Sequence, residues 1–483
     1  MTPTQTNNTY PPPPSLNLLQ RQIMLSFSYL AYTGEGMVTP HPEAQILANI
    51  NNGMQQIPVL CASPGRPSWR VVWGPSAYTV PGSFYQDNMM YVVQNIAYPS
   101  QFAIAIRGTN FTSEVDWLLE DFSVVQLMNW PIGALAPNPA NALISESASI
   151  DLKTVLNMVD HTTGRTLIQF LYSHTANPIN LCVTGHSLGG LLSGTLALYL
   201  LENALTWDVS TRSTVTFVSF AAPTAGNAQF ASYSNSRFAA ATRPPAAIWD
   251  SNLNTNGDVV QCSLDVAPLF FTSANIFAND QAGPMFSIYG SNIDFGSLTY
   301  IQKEEWSYFQ SLVLARIASL TAGLNYTQLA PGGGSAVQGI FNGPAATDGE
   351  FADYLAAFIA QGEWQHSFSY PHLFGLAAQL LNPAIVVRNL FSLTSITPTG
   401  AYRDDNTPVT ITGTGFLSLT NTVLNVEQGA IVTGLRVVSD TQITATFNFP
   451  FSVSYGQTPI SISGTMGAGF VTSNSLSFDV YFS

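Results

Sequence analysis

Ile179-Asn180-Leu181-Cys182-Val183-Thr184-Gly185-His186-Ser187-Leu188-Gly189-Gly190 is the stretch on which the fold turns. Ile179 to Val183 reads as a short apolar strand, and Gly185 opens a run of small and apolar residues that reads as a helix to about Leu205. Upstream, Phe102-Ala103-Ile104-Ala105-Ile106 is a second apolar strand, ending in Arg107-Gly108-Thr109. Residues 150–175 show helical spacing, and Val215 to Phe220 is a further strand. This strand–helix–strand alternation predicts a mostly parallel sheet with helices on both faces. Farther out, Leu16 to Tyr32 has helical periodicity and Val71 to Ile106 holds short β runs.

The 483 residues are 46% hydrophobic and only 9% charged. A chain this apolar buries a sizeable core and is not of the disordered class, which needs low hydrophobicity and high charge. The net charge is −14, from 14 basic and 28 acidic residues. No basic stripe exists to displace counterions, so a nucleic-acid binder and electrostatic docking to an anionic membrane are excluded. Cys61, Cys182 and Cys262 allow at most one disulfide, and Cys182 reads as a buried small hydrophobe. No apolar run approaches the ~18 residues of a membrane span. Met1 to Pro14 reads as a flexible polar, proline-rich lead without a secretory signal's basic start and apolar centre. An extracellular location is the expectation, with the export route open.

Gly185-His186-Ser187-Leu188-Gly189 is a G-x-S-x-G motif between a strand and a helix. A nucleophilic serine needs a sharp turn that exposes its hydroxyl, and a glycine two residues to either side leaves room for that turn. The helix that follows aims its N-terminal amides at a developing oxyanion.

Three blocks then match one family in order. Ile106-Arg107-Gly108-Thr109 with Asp116-Trp117 and Asp121 resembles the "RGT…DW…D" segment of class 3 (fungal-type) lipases. Thr184 to Gly190 resembles their nucleophile elbow, and Ser219-Phe220-Ala221-Ala222-Pro223-Thr224-Ala225-Gly226-Asn227 their strand and "P..GN" turn. The resemblance runs from about Leu16 to Leu376 and is weak over 270–361. It implies an α/β-hydrolase fold, carboxylic ester hydrolysis, a lid and no cofactor. Carried over residue by residue, Ser187 is the nucleophile, and Thr109 and Leu188 form the oxyanion hole.

A nucleophilic serine needs a histidine in reach, and the histidine a carboxylate, here in the order Ser, acid, His. Of six histidines only His366 and His372 follow Ser187. Trp364-Gln365-His366 with Tyr370 resembles the histidine block of bacterial members of the family, so His366 is favoured and His372 is the alternative. His41, His161 and His174 read as solvated residues, and His186 as a packing residue of the elbow. For the acid, Ser263-Leu264-Asp265-Val266-Ala267-Pro268 resembles the family's D-x-x-P block. Asp265 is therefore favoured, with Asp258 in reserve because Gln261 stands where its proline would be.

The segment 110–130 is apolar yet carries Glu114, Asp116, Glu120 and Asp121, which fits a lid as well as a core-facing helix. Residues 270–361 read as an insertion in a hydrolase domain of residues 15–392. Beyond 393 helical spacing gives way to short β runs, predicting an antiparallel sandwich. Ile396-Thr397-Pro398-Thr399-Gly400 and Val409 to Phe416 resemble an IPT/TIG immunoglobulin-like module, which implies binding to a surface or another protein. The expected activity is that of a triacylglycerol lipase or carboxylesterase on a lipid or ester substrate, without cofactor or metal. A phospholipase, an aromatic-acid esterase, a polyester hydrolase and a catalytically silent surface-binding protein are the alternatives.

Overall fold

The computed structural model describes residues 18–35, 42–78, 88–108, 126–130, 141–240, 258–262, 323–329, 335–337, 364–382, 384–386, 392–416, 419–426, 429–439, 441–466, 469–473 and 476–482. Contacts divide the chain into two compact units. The first comprises Met1–Thr33, Ile46–Ser76 and Asn88–Val386, and the second Gly34–Gln45, Ala77–Asp87 and Val387–Ser483.

The first unit is an α/β-hydrolase domain. Among the described residues its sheet has seven strands: β1 (Trp69–Tyr78), β2 (Asn88–Asn95), β3 (Gln101–Ile106), β4 (Asn180–His186), β5 (Thr214–Phe220), β6 (Asp258–Cys262) and β7 (Ser335–Val337). They lie in the order β7-β6-β5-β4-β3-β2-β1. The ladders from β3 through β7 are parallel, and β2 pairs antiparallel with β3. Every residue of β3 is buried, as is β4 apart from Asn180. A strand covered on both faces calls for an apolar run, supplied here by Phe102 to Ile106 and by Leu181 to Val183.

Helix α1 (Leu18–Leu30) is buried from Gln20 to Leu30 except for Gln22. Helix α2 (Glu43–Gln56) buries only Ile46, Ile50, Gly53 and Met54, a single stripe at helical spacing. The stretch 150–175 forms two helices rather than one, α3 (Glu146–Asn157) and α4 (Leu167–His174). Thr166 and Gln169 make a capping box that starts the second, and Gly164 turns the chain between them at φ 65°. Periodicity bridged that break because its turn chemistry carries no apolar signal.

Helix α5 (Leu188–Glu202) is apolar nearly all round and buried along almost its whole length. It stops before the expected Leu205: Asn203 caps it, and the short α6 (Ala204–Trp207) follows. Helix α7 (Ala228–Ala240) packs on β5, with the Phe238 and Phe217 rings 5.1 Å apart. The three cysteines are free thiols, and Cys182 is fully buried as expected.

Two segments gain definition here. Ser335 to Val337, placed in the 270–361 insertion, form the edge strand of the main sheet, paired with Val260 to Cys262. At the end of the segment left open between lid and core, Trp130 is a core residue whose indole N–H donates to Glu202 at 3.1 Å. Residues 1–14, 110–125 and nearly all the rest of 270–361 lie outside the described residues. No described helix is long and apolar enough to cross a membrane.

From residue 392 on, the described residues of the second unit form two β sheets. One sheet joins β8 (Ser392–Thr397), β10 (Thr407–Thr414), β13 (Gln442–Asn448) and β12 (Ile431–Ser439), in that order. The other joins β9 (Gly400–Tyr402), β16 (Leu476–Tyr481), β14 (Gly456–Met466) and β11 (Thr420–Val426), with β15 (Gly469–Thr472) beside β14. Ile411, Ile443 and Phe447 from the first sheet meet Ile460, Ile462 and Phe478 from the second in one core. Strict alternation of buried and half-buried residues along β13 produces that face. The ladder between β9 and β16 is parallel, not antiparallel as expected. Strands β8 and β9 flank Pro398, whose turn-like surroundings concealed both.

Candidate active site

Ser187 stands between β4 and α5 with φ 58° and ψ −131°. A side chain other than glycine is rarely held at positive φ, at a cost of about 1–3 kcal/mol, and such strain collects at functional positions. Packing on both sides enforces it. The Ser187 N–H donates to the Phe220 carbonyl at 3.0 Å, extending the β4–β5 ladder by one rung, while its own carbonyl accepts from Leu191 N–H at 3.1 Å inside the helix. One residue is thus claimed by a strand and by a helix.

The motif's glycines have a direct steric reason. A Cβ on Gly185 would lie 2.1 Å from the Gly189 carbonyl oxygen, and one on Gly189 would lie 2.3 Å from the Ile106 carbonyl oxygen. Strand, helix and the end of β3 therefore touch through backbone alone. Gly108, the last described residue before Thr109, presses on the elbow from the other side. A Cβ there would sit 2.6 Å from the His186 carbonyl oxygen and 3.0 Å from Ser187 Cβ. Thr109 itself lies outside the described residues. Leu188 is the first residue of α5, so its N–H has no carbonyl partner within the helix, at the positive end of the helix dipole.

His366 belongs to a π-helical turn, Trp364–Phe368, and is buried. Such turns are uncommon and cluster at functional sites. This one is tied to the elbow. His186 Nε2 donates to the His366 carbonyl at 2.7 Å, and the two imidazole rings have centroids 4.9 Å apart. Tyr29 donates to the next carbonyl, Ser367, at 2.6 Å. The turn is also tied to the end of β6: Cys262 Sγ donates to Gln365 Oε1 at 3.1 Å, and Cys262 N–H donates to Tyr370 Oη at 3.0 Å. His372, the alternative base, is exposed and stacks on Trp364 at 5.4 Å, where desolvation holds its pKa below the usual value.

The two aspartates differ in place. His186 is level with Phe220, and Phe220 with Val260. Asp258 therefore lies three residues short of the level of Ser187, about 10 Å along a strand. Its carboxylate is held at 2.5 Å by Arg21 Nε. Burial raises its pKa, against the pull of Arg21. The same carboxylate, after burial, helps push the Cys182 thiol up. Asp265 lies outside the described residues, three positions past Cys262.

The nucleophile-like elbow, the end of β3 against it and strands β4 and β5 fall inside one matched segment. Residues 103–243 match the class 3 lipase family. In a comparison of structures, M37 lipase aligns with a TM-score of 0.55 and 27% identity, over 76% of this chain and 98% of its own. Lip2 lipase from Yarrowia lipolytica aligns with a TM-score of 0.34 and 17% identity, over 52% of this chain and 72% of its own. No curated protein matches the chain in sequence. The matched segment stops well before the π turn, so His366 rests on the geometry described above.

Sequence reasoning missed the part played by His186. Read as packing, it is fully buried yet uses both ring nitrogens, Nε2 toward His366 and Nδ1 toward the Tyr32 hydroxyl at 2.9 Å. Its place beside Ser187 was visible, but its partners lie 154 and 180 residues away in the chain.

Proposed function

We propose that the chain is a serine carboxylic-ester hydrolase that cleaves lipid esters through an acyl-enzyme. Ser187 attacks the ester carbonyl carbon as the His366 ring takes the hydroxyl proton. The tetrahedral oxyanion is held by the N–H groups of Thr109 and Leu188. The intermediate collapses, the C–O bond of the ester breaks, and the alkoxide leaves with the proton from His366. Water, deprotonated by the same ring, then releases the acid and restores Ser187.

The observation that carries this reading is the strained Ser187 with the His366 turn hydrogen-bonded to its neighbour His186. Asp265 is the orienting acid on this reading. It follows the strand end that grips Gln365, whereas Asp258 lies below the level of Ser187 and is engaged by Arg21. The class 3 lipase match of residues 103–243 and the likeness to M37 lipase support the lipid ester as substrate class.

The test is cleavage of p-nitrophenyl esters of graded chain length by wild type and Ser187→Ala. A loss on the order of 10⁴-fold or more in kcat is expected. Equal rates overturn the reading, and a preference for short chains alone removes the lipid part of it.

A further inference from the structure

A single imidazole spans the gap between the residue before the nucleophile and the loop that carries the base. His186 Nε2 lies 2.7 Å from the His366 carbonyl oxygen. A peptide carbonyl only accepts, so Nε2 bears the proton. In a neutral ring Nδ1 then offers a lone pair, and the Tyr32 hydroxyl at 2.9 Å donates to it. The same hydroxyl is 3.3 Å from the His186 carbonyl oxygen, a weaker contact. The ring has no exposed surface and is walled by Tyr29 at 5.2 Å, Tyr32 at 5.8 Å and Tyr370 at 5.9 Å, all edge-on. Turning the ring over would leave the buried His366 carbonyl without this donor.

We propose that His186 is a positioning residue: its Nε2–H holds the His366 backbone at a set distance from Ser187, and Tyr32 locks it in the tautomer that does so. This rests on the reading of Ser187 and His366 as nucleophile and base. Because His186 is bonded covalently to Ser187, any shift of the elbow moves the base with it. The two groups come from points 179 residues apart in the chain (366 − 187), and this hydrogen bond makes their spacing independent of the segments between them. A misplacement of about 1 Å between reacting groups lowers rates about 10²-fold, so such a link has a kinetic consequence.

The experiment compares His186→Gln, His186→Asn, His186→Leu and Tyr32→Phe in the full chain. Glutamine carries an N–H donor at the reach of Nε2, asparagine is polar but one bond too short, and leucine has no donor. Read-outs are kcat and KM on a p-nitrophenyl ester, the rate at which a fluorophosphonate labels Ser187, and the thermal midpoint. Leucine and asparagine are expected to lower kcat and labelling about 10²-fold with KM within about twofold. Glutamine is expected to recover all but about tenfold, and Tyr32→Phe to fall between. If glutamine and leucine lose activity equally, or leucine leaves kcat unchanged, the proposal is overturned. Should the leucine variant fail to fold, the glutamine–asparagine difference and Tyr32→Phe decide alone. Ser187→Ala, run beside them, keeps the two readings apart. Activity surviving in that variant sinks the underlying mechanism, whereas an inactive Ser187→Ala with indistinguishable His186 variants sinks only the positioning role.

Discussion

At the scale of single residues, the candidate site is built from close approaches that only the smallest side chains permit. Gly189 is one of them, with its α-carbon face against the Ile106 carbonyl. Gly189→Ala is expected to lower stability by about 1–3 kcal/mol, because the added methyl meets backbone that cannot swing aside. Urea unfolding checks this, and an unchanged midpoint would refute the steric account. Ser187, the glycines and the favoured histidine were legible as residue types in a spaced pattern. The work of His186 was not, because a hydrogen bond between distant positions leaves no mark on local sequence. The roles of Thr109 and Asp265 still rest on resemblance and on where the described strands end.

At the scale of elements, the far end of α5 from Ser187 carries a buried acid with three neighbours. Glu202 accepts from Trp130 Nε1 and from the Tyr233 hydroxyl, and Arg237 lies 3.9 Å away. Burial outweighs all three and raises its pKa above 4.5. The folded state therefore keeps this proton over a range in which the unfolded chain has lost it. Stability falls as pH climbs from the unfolded value through the raised one. Glu202→Gln removes that loss. Its urea midpoint should gain on wild type as pH rises above the ordinary carboxylate range, and show no such gain below it. Parallel curves at all pH values would show that Glu202 is not responsible. Asp258 shifts in the same direction, so part of the trend persists in the variant. The division of residues 150–175 into two helices also belongs to this scale. Apolar spacing alone joined them, whereas the Thr166–Gln169 box separates them.

At the scale of the whole molecule, two units each have a core of their own, one around the mixed sheet and one between the two β sheets. Separate cores predict two calorimetric transitions. Phe447→Ala, which empties a fully buried position of the second core, should lower one of them by the equivalent of about 3–5 kcal/mol. A single transition shifted as a whole would contradict independent cores. The alternation of strand and helix, the elbow and the change to β structure after residue 392 were set by local pattern: apolar runs, period-two alternation and glycine spacing. These are written residue by residue, since burial on a sheet dictates side-chain type at each position. Tertiary structure alone decided three other matters: that Ser335 to Val337 close the main sheet, that Asp258 answers to Arg21, and that the His366 turn is fastened to the elbow through His186. Each joins groups far apart in the chain. Their proximity is a property of the packed layers and not of any segment within them.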